Sequence, residues 1–170
     1  HVIVRPHPQS FASEKELMDK LMQKYNDPAK VEWNRDNDNF DVLHRSDILI
    51  SDFSGVLFDY SLVFDKPVIY TGAAMDKSPY DCAWSEKELW SFEILPKLGM
   101  ELEEDKIDHI KEVIDECIES PAFKEGRDIA RRETWVNIGE GAEKTVDYLI
   151  NKYKELTAET VTPEEGVAVA

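Results

Sequence analysis

Cysteine is scarce in this chain of 170 residues: Cys82 and Cys117 are the whole supply. Two cysteines cannot make a disulfide framework, and neither lies in a Cys-x-x-Cys pair or near a histidine cluster, so both read as ordinary reduced residues. The four histidines are scattered without metal-ligand spacing. Positive charge is also short, with 20 basic residues against 36 acidic ones and a formal net charge of −16. That balance excludes a general nucleic-acid binder, whose affinity rests on basic surface. It also argues against a basic membrane-docking face. The acidic excess by itself reads as a solubility feature. No apolar run approaches the length of a membrane span. There is no Gly-x-Ser-x-Gly elbow and no phosphate-binding Walker loop.

What is present is an alternation of short apolar runs with helical patterns. Val2 to Arg5 reads as a strand, stopped by Pro6 and Pro8. A helix capped by Ser10 or Ser13 is predicted up to Tyr25, with Leu17, Leu21, Met22 and Tyr25 at helical spacing. Val31 to Asn34 is a second strand, followed by the polar loop Arg35 to Asn39 and a brief helix over Phe40 to Arg45. Asp47 to Ser51 is the clearest strand; helical character resumes at Val56 and runs to Phe64, and Lys66 to Tyr70 is a fourth strand. Thr71 to Met100, rich in Pro, Ser and aromatics, is expected to be loop with short elements. Helices are predicted over Asp105 to Glu119, with Ile107, Ile110, Val113, Ile114 and Cys117 inward, from Pro121 onward, and over Gly141 to Tyr153, with Val146, Leu149 and Ile150 as its stripe. Continuously apolar strands alternating with helices imply an α/β domain, a Rossmann-like parallel sheet with helices on both faces. The expected division is a domain over residues 1–156 and a disordered tail over 157–170, where no helical face continues. Because Val2, Ile3 and Val4 place a core strand at the very start of the chain, more protein is expected upstream.

In a parallel α/β sheet, ligands sit beyond the carboxyl ends of the strands. Two segments meet that rule. Arg5-Pro6-His7-Pro8 follows the first strand, and Ser51-Asp52-Phe53-Ser54-Gly55 follows the third and opens a helix. The second has the makings of an anion site. Amides at a helix start carry the positive end of the dipole, Ser54 adds a hydroxyl and Gly55 allows close approach to the backbone. Simple capping of the helix by Asp52 and Ser54 accounts for the same residues equally well. His7, fixed between two prolines, suits a donor to a phosphate oxygen or an acid–base group near neutral pH, and equally an exposed turn histidine. Arg5 suits a bidentate phosphate contact or a partner on the acidic surface. Asp59, on the helix after Ser54, reads as a solvated or locally paired carboxylate. The aromatics between Trp84 and Phe92 suit a base pocket or, by default, core packing.

Taken together, Arg5-Pro6-His7-Pro8, the run from Ser46 to Tyr60 (SDILISDFSGVLFDY) and Lys66-Pro67-Val68-Ile69-Tyr70 resemble the CDP-glycerol glycerophosphotransferases, the teichoic-acid polymerases and primases and related capsule enzymes. The resemblance extends from about Val2 to Tyr153 and is closest between Ser46 and Tyr70. It implies a GT-B architecture of two Rossmann-like domains, this chain being the second, C-terminal, donor-binding half. It implies transfer of glycerol phosphate from CDP-glycerol to a polyol-phosphate or lipid-linked acceptor, with no cofactor and no metal required in the catalytic step. By the same resemblance, His7 is the catalytic histidine near the donor pyrophosphate, and Ser54 and Gly55 cradle phosphate, Gly55 standing where the family more often has a second serine. Asp52 and Asp59 match recurrent acids of the motif, Arg5 joins the substrate-binding set, and Arg35 to Asn39 resembles the segment that approaches the nucleoside.

The acceptor's base would then come from an N-terminal domain, and this fragment would not turn over alone. The expected location is cytoplasmic, peripheral to the inner face of the membrane in the full-length protein. Two other readings use the same sheet and turn: the donor-binding domain of another GT-B glycosyltransferase or nucleotide-sugar epimerase, and a non-catalytic domain of the same fold.

Overall fold

The computed structural model describes residues 1–36, 38–72 and 86–159. Cys82, Trp84 and residues 160–170 of the expected tail lie outside the described residues. The chain divides into two compact units, residues 1–127 and 128–170.

The first unit is α/β with parallel sheets flanked by helices, as the alternation of runs predicts. β1 (Val2–Val4) pairs in parallel with β2 (Val31–Trp33), Val2 opposite Val31 and Val4 opposite Trp33. β3 (Leu49–Ser51), β4 (Val68–Tyr70) and β5 (Gly99–Glu101) form a second parallel sheet in that order. Leu49 faces Val68, which in turn faces Gly99. The single sheet expected from the sequence is therefore two sheets among the described residues. The pattern of apolar runs reveals that strands exist but not which edges meet.

Between β1 and β2 the expected single helix is broken at Glu14 (φ −124°, ψ 38°) into α1 (Ser10–Ser13) and α2 (Lys15–Lys24). Met18 is the side chain this segment buries, while Leu17 and Tyr25 are exposed. Neither serine caps through its side chain; the Ser13 hydroxyl donates instead to the Gln9 carbonyl at 3.0 Å. α3 (Phe40–Arg45) leads to β3, and α4 (Gly55–Phe64) connects β3 to β4.

β4 is the centre of the unit. Val68, Ile69 and Tyr70 are all buried, and because successive side chains point to opposite faces, the strand is covered on both. Ile69 packs with Val113 and Cys117 of α6 (Ile110–Glu119), with Met100, Ile114 and Phe123 around them. Burying each such side chain stabilises by roughly 1.5–3 kcal/mol. Ile107 was expected inward but is exposed, because residues Glu104–His109 wind as a 3-10 turn and α6 begins only at Ile110.

α5 (Trp90–Leu98) and β5 were not anticipated. Pro96 reads as a helix breaker, yet it lies inside α5, which tolerates the loss of one intrahelical N–H bond two residues before its end. β5 begins with Gly99, where a Cβ would fall 1.7 Å from the Val68 carbonyl oxygen. Gly126, on α7 (Pro121–Thr134), is similarly constrained: a Cβ there would meet the Lys97 carbonyl oxygen at 1.9 Å.

A set of polar contacts fastens the amino ends of β3 and β4. The Lys66 ammonium donates to the carbonyls of His44 (2.6 Å) and Ser46, and the Tyr60 hydroxyl donates to the same Ser46 carbonyl at 2.9 Å. At the far end of α4, Asp65 adopts a left-handed conformation (φ 56°) and accepts from Nε of the buried Arg127 at 2.8 Å.

The second unit holds the end of α7, a turn with positive φ at Asn137 and Gly139, and α8 (Gly141–Glu159). α8 runs on past Leu156, where the tail was expected to begin, and Val146, Leu149 and Ile150 are exposed rather than inward. Among the described residues no helix is long and apolar enough to cross a membrane.

Two outcomes are expected. Gly126→Ala should lower unfolding free energy in urea by about 1–3 kcal/mol, since backbone must move to admit the methyl; an unchanged midpoint would show that α5 and α7 do not meet there. Stability should also fall in alkali. Burial raises the ionisations of Tyr60, Tyr70 and Cys117, helped at the tyrosines by the charges of Asp47 and Glu101. The folded state then holds these protons more tightly than the unfolded chain. Their stabilisation is complete below the unfolded values, about 8.5 for the thiol and 10 for the phenols, and is lost as pH rises beyond them. Urea unfolding between pH 8 and 11 reads this directly, and a flat profile there would refute it.

Candidate functional site

The two segments selected from the sequence stand at the carboxyl ends of β1 and β3. Among the described residues, no hydrogen bond or ion pair joins one to the other. Each is therefore built from its own surroundings.

At the end of β3 the chain turns through Asp52 and Phe53 into α4, with Ser54 as the residue preceding the helix. Ser54 is extended (φ −147°, ψ 151°), and its carbonyl accepts the Leu57 amide at 3.1 Å, as a cap residue's should. Its hydroxyl makes no capping bond. Asp52, offered in the sequence as an alternative cap, instead accepts the Ser51 hydroxyl at 3.3 Å and is exposed. The capping reading thus loses its side-chain bond, and the start of this ten-residue helix keeps its positive end open. Gly55, the first helical residue, is exposed, and a Cβ added there would touch nothing within 4 Å. That leaves the backbone accessible to a bulky anion.

The turn is held by aromatic packing that the sequence did not assign. Phe53 stacks on Phe92 of α5, centroids 4.6 Å apart, and meets Phe58 of α4 edge-on at 6.2 Å; Phe58 in turn lies 6.0 Å from Trp90. Phe92 and Trp90 are thus used in packing, the default reading for that aromatic stretch. Asp59 is exposed on α4.

At the end of β1, His7 is exposed, and its Nδ1 accepts the Gln9 amide at 3.2 Å. An acceptor Nδ1 on a neutral imidazole leaves the proton on Nε2, so the ring presents an N–H donor away from its own turn. Arg5 is spoken for: its guanidinium donates to the Asn34 side-chain oxygen and, at 2.6 Å, to the Asp36 carbonyl. Asn34 itself is buried and donates to the Asp36 carboxylate at 2.8 Å. Arg5 therefore fixes the exit of β2 first, whatever donors remain for a ligand. Asn34 and Phe11 were missed by sequence reasoning; a polar residue at the end of an apolar strand was the available signal for the former.

These residues line a cleft of about 250 Å³ bounded by Arg5, Pro6, Pro8, Phe11, Asn34, Arg35 and Asp36. The Arg35 guanidinium lies 4.2 Å over the Phe11 ring, so one wall is a flat cation on an aromatic face. A larger hollow of about 470 Å³, bounded by His1, Pro28, Val31 and Trp33 among others, opens at the amino ends of β1 and β2. Ligands of parallel sheets bind at the opposite edge, so the smaller cleft is the better candidate. Among the described residues no group of three His, Cys, Asp or Glu is arranged to hold a metal ion.

The open cap makes a sharp expectation. Ser54→Ala should change stability by less than about 0.5 kcal/mol in urea unfolding, against the ~1 kcal/mol usual for losing a serine cap. A loss of ~1–2 kcal/mol would return Ser54 to a structural role.

Compared with known proteins, the chain has no match among curated proteins and none among solved structures. Residues 1–120 match one protein family, CDP-Glycerol:Poly(glycerophosphate) glycerophosphotransferase, whose fold is GT-B-like. The match includes both candidate segments and stops short of Tyr153, to which the motif resemblance extended. It spans well over half of the chain and agrees with the parallel sheets, so the chain belongs to the CDP-glycerol:poly(glycerophosphate) glycerophosphotransferase family.

Proposed function

We propose that this chain supplies the donor site for transfer of glycerol phosphate from CDP-glycerol to a polyol-phosphate acceptor, of the kind that builds a teichoic-acid-like polymer at the cytoplasmic face of a membrane. The observation that carries the reading is the start of α4, where the Ser54 hydroxyl is unused as a cap and the space over Gly55 is open. The family implies CDP-glycerol as donor and a glycerophosphate acceptor.

In this reading the donor pyrophosphate rests on the Gly55 and Val56 amides and the Ser54 hydroxyl. His7 directs its Nε2–H at the phosphate of the departing CMP, where negative charge grows in the transition state. An acceptor hydroxyl attacks the β-phosphorus in line. The new P–O bond forms as the bridging P–O bond to CMP breaks, and the hydroxyl proton passes to a base outside this chain. The cleft between Arg5 and Arg35 takes the nucleoside end, with the Arg35–Phe11 pair as a flat surface for it. Asp52, in the turn before α4, biases the pocket against a more highly charged donor, while Asp59 stands beyond the helix's first turn.

The intact enzyme tests this. His7→Ala and Ser54→Ala should each reduce phosphoglycerol transfer from CDP-glycerol by about 10²-fold or more, while His7→Gln, which keeps an N–H donor, recovers part of the loss. Full activity in both alanine variants would dismiss the site assignment. Tight binding of a nucleotide sugar with CDP-glycerol ignored would replace the donor.

A further inference from the structure

Glu101 closes β5 and stands at the same carboxyl edge as the Ser54 turn. The register sets Ser51, Tyr70 and Glu101 side by side across β3, β4 and β5. The strand exits are tied in the same order: the Thr71 amide donates to the Ser51 carbonyl at 3.1 Å, and the Leu102 amide to the Tyr70 carbonyl at 2.8 Å. Ile69 turns toward Val113 and Cys117 of α6, so Tyr70 and its in-register neighbours turn to the opposite face. The Glu101 side chain leans back over the sheet. Its Oε1 lies 3.0 Å from where a Cβ on Gly72 would stand. The carboxylate therefore sits over the exit of β4, about one strand spacing (~4.8 Å) from the exit of β3. Glu101 is exposed, and among the described residues it has no ion pair and no hydrogen-bond donor. Its charge reaches the Tyr70 phenol, whose ionisation is pushed up by burial and then by Glu101.

We propose that Glu101 is a specificity-determining residue for the donor: its carboxylate accepts hydrogen bonds from the two free hydroxyls of the glycerol that is transferred. This rests on the reading that seats the donor pyrophosphate on the start of α4. A pyrophosphate offers acceptors only, and a carboxylate beside it is repelled unless donors come between them. In CDP-glycerol the donors next to the β-phosphate are those of the uncharged diol. The gap from the end of β3 to the carboxylate over β4 is one that a three-carbon chain spans. With the pyrophosphate on α4 and the nucleoside in the cleft lined by Arg5 and Arg35, the glycerol is the part of the donor still without a partner. Two hydroxyls on one carboxylate make charge-assisted hydrogen bonds. A donor that ends in a bare alkyl chain leaves Glu101 desolvated with nothing in return, and one that ends in a further phosphate meets like charge. Glu101 thus selects a hydroxylated, uncharged group for transfer.

The intact enzyme provides the test. Transfer from CDP-glycerol is measured together with inhibition by CDP and by the ethyl ester of CDP, which keep the pyrophosphate and nucleoside contacts but lack the diol. Glu101→Ala should raise KM for CDP-glycerol about 10- to 100-fold, with a smaller change in kcat. Inhibition by CDP and by its ethyl ester should hold within about threefold or strengthen, which also shows that the variant is folded. Gly72→Ala, whose methyl displaces Oε1, should raise KM in the same direction and by less. An unchanged KM in Glu101→Ala shows that the glycerol is read elsewhere, and a fall in kcat with KM kept makes Glu101 an acid–base group instead. Either result overturns the proposal and leaves the α4 reading in place, provided Ser54→Ala weakens inhibition by CDP. If Ser54→Ala leaves that inhibition unchanged, the α4 reading falls and the proposal falls with it.

Discussion

The Ser46 carbonyl, taken by both the Lys66 ammonium and the Tyr60 hydroxyl, is the contact on which the placement of the site depends. Carbonyls at the end of a helix carry partial negative charge and need partners. Lys66 supplies one at the end of α3 while standing at the entry to β4, and Tyr60 reaches the same point from α4. α3, α4 and the entry to β4 are thereby tied to one residue three positions before β3. With the amino end of β3 fixed and β4 buried on both faces, the direction in which Ser51 delivers the chain into the Asp52–Ser54 turn follows. The Phe53–Phe92 stack then holds that turn at its other end.

Much of this could be read from the residues alone, and the division is physical. Leu49-Ile50 and Val68-Ile69 are uninterrupted apolar runs, as expected of parallel strands, so their type was legible, although only β4 is buried on both faces. The helix opening after Ser54 was legible because Gly55 and the apolar residues behind it mark a start. β5 was not, because Gly99-Met100-Glu101 has neither β-branched residues nor a run; it is a strand only because Gly99 lets its backbone lie against Val68. α5 was hidden by Pro96. The break at Glu14 and the exposure of Ile107 share a cause: helical spacing continues through a segment whose hydrogen bonds have changed.

The site divides in the same way. Residue type identified His7 and Ser54 as groups with chemistry available. Only geometry distinguishes a serine that caps from one that does not, or a histidine whose Nδ1 is occupied and whose Nε2–H is therefore presented. Arg5 shows the opposite case. Its guanidinium suits phosphate as well as any, but the nearest acceptors are the Asn34 side chain and the Asp36 carbonyl, and those hold it. The sequence motif is the same either way, which is why the role of an arginine after a strand cannot be assigned from its neighbours in the chain.

Charge raises the remaining question, since a chain of net charge −16 belongs to a family whose donor and acceptor are both anions. Long-range attraction cannot bring them in. At physiological ionic strength, however, the field of distant carboxylates is screened over about 8 Å, so what matters at the site is the set of groups within contact. The cations nearest the fold's tie points are committed, Lys66 to carbonyls at the amino edge and Arg127 to Asp65. Besides the Arg35–Phe11 pair, what is left for an anion at the carboxyl edge is neutral and directional: amides at the start of α4, the Ser54 hydroxyl and the His7 N–H. Neutral donors of fixed orientation give up little when an anion leaves. In the proposed reading they favour the geometry in which charge is redistributed over that in which it is merely held, which suits release of CMP after transfer.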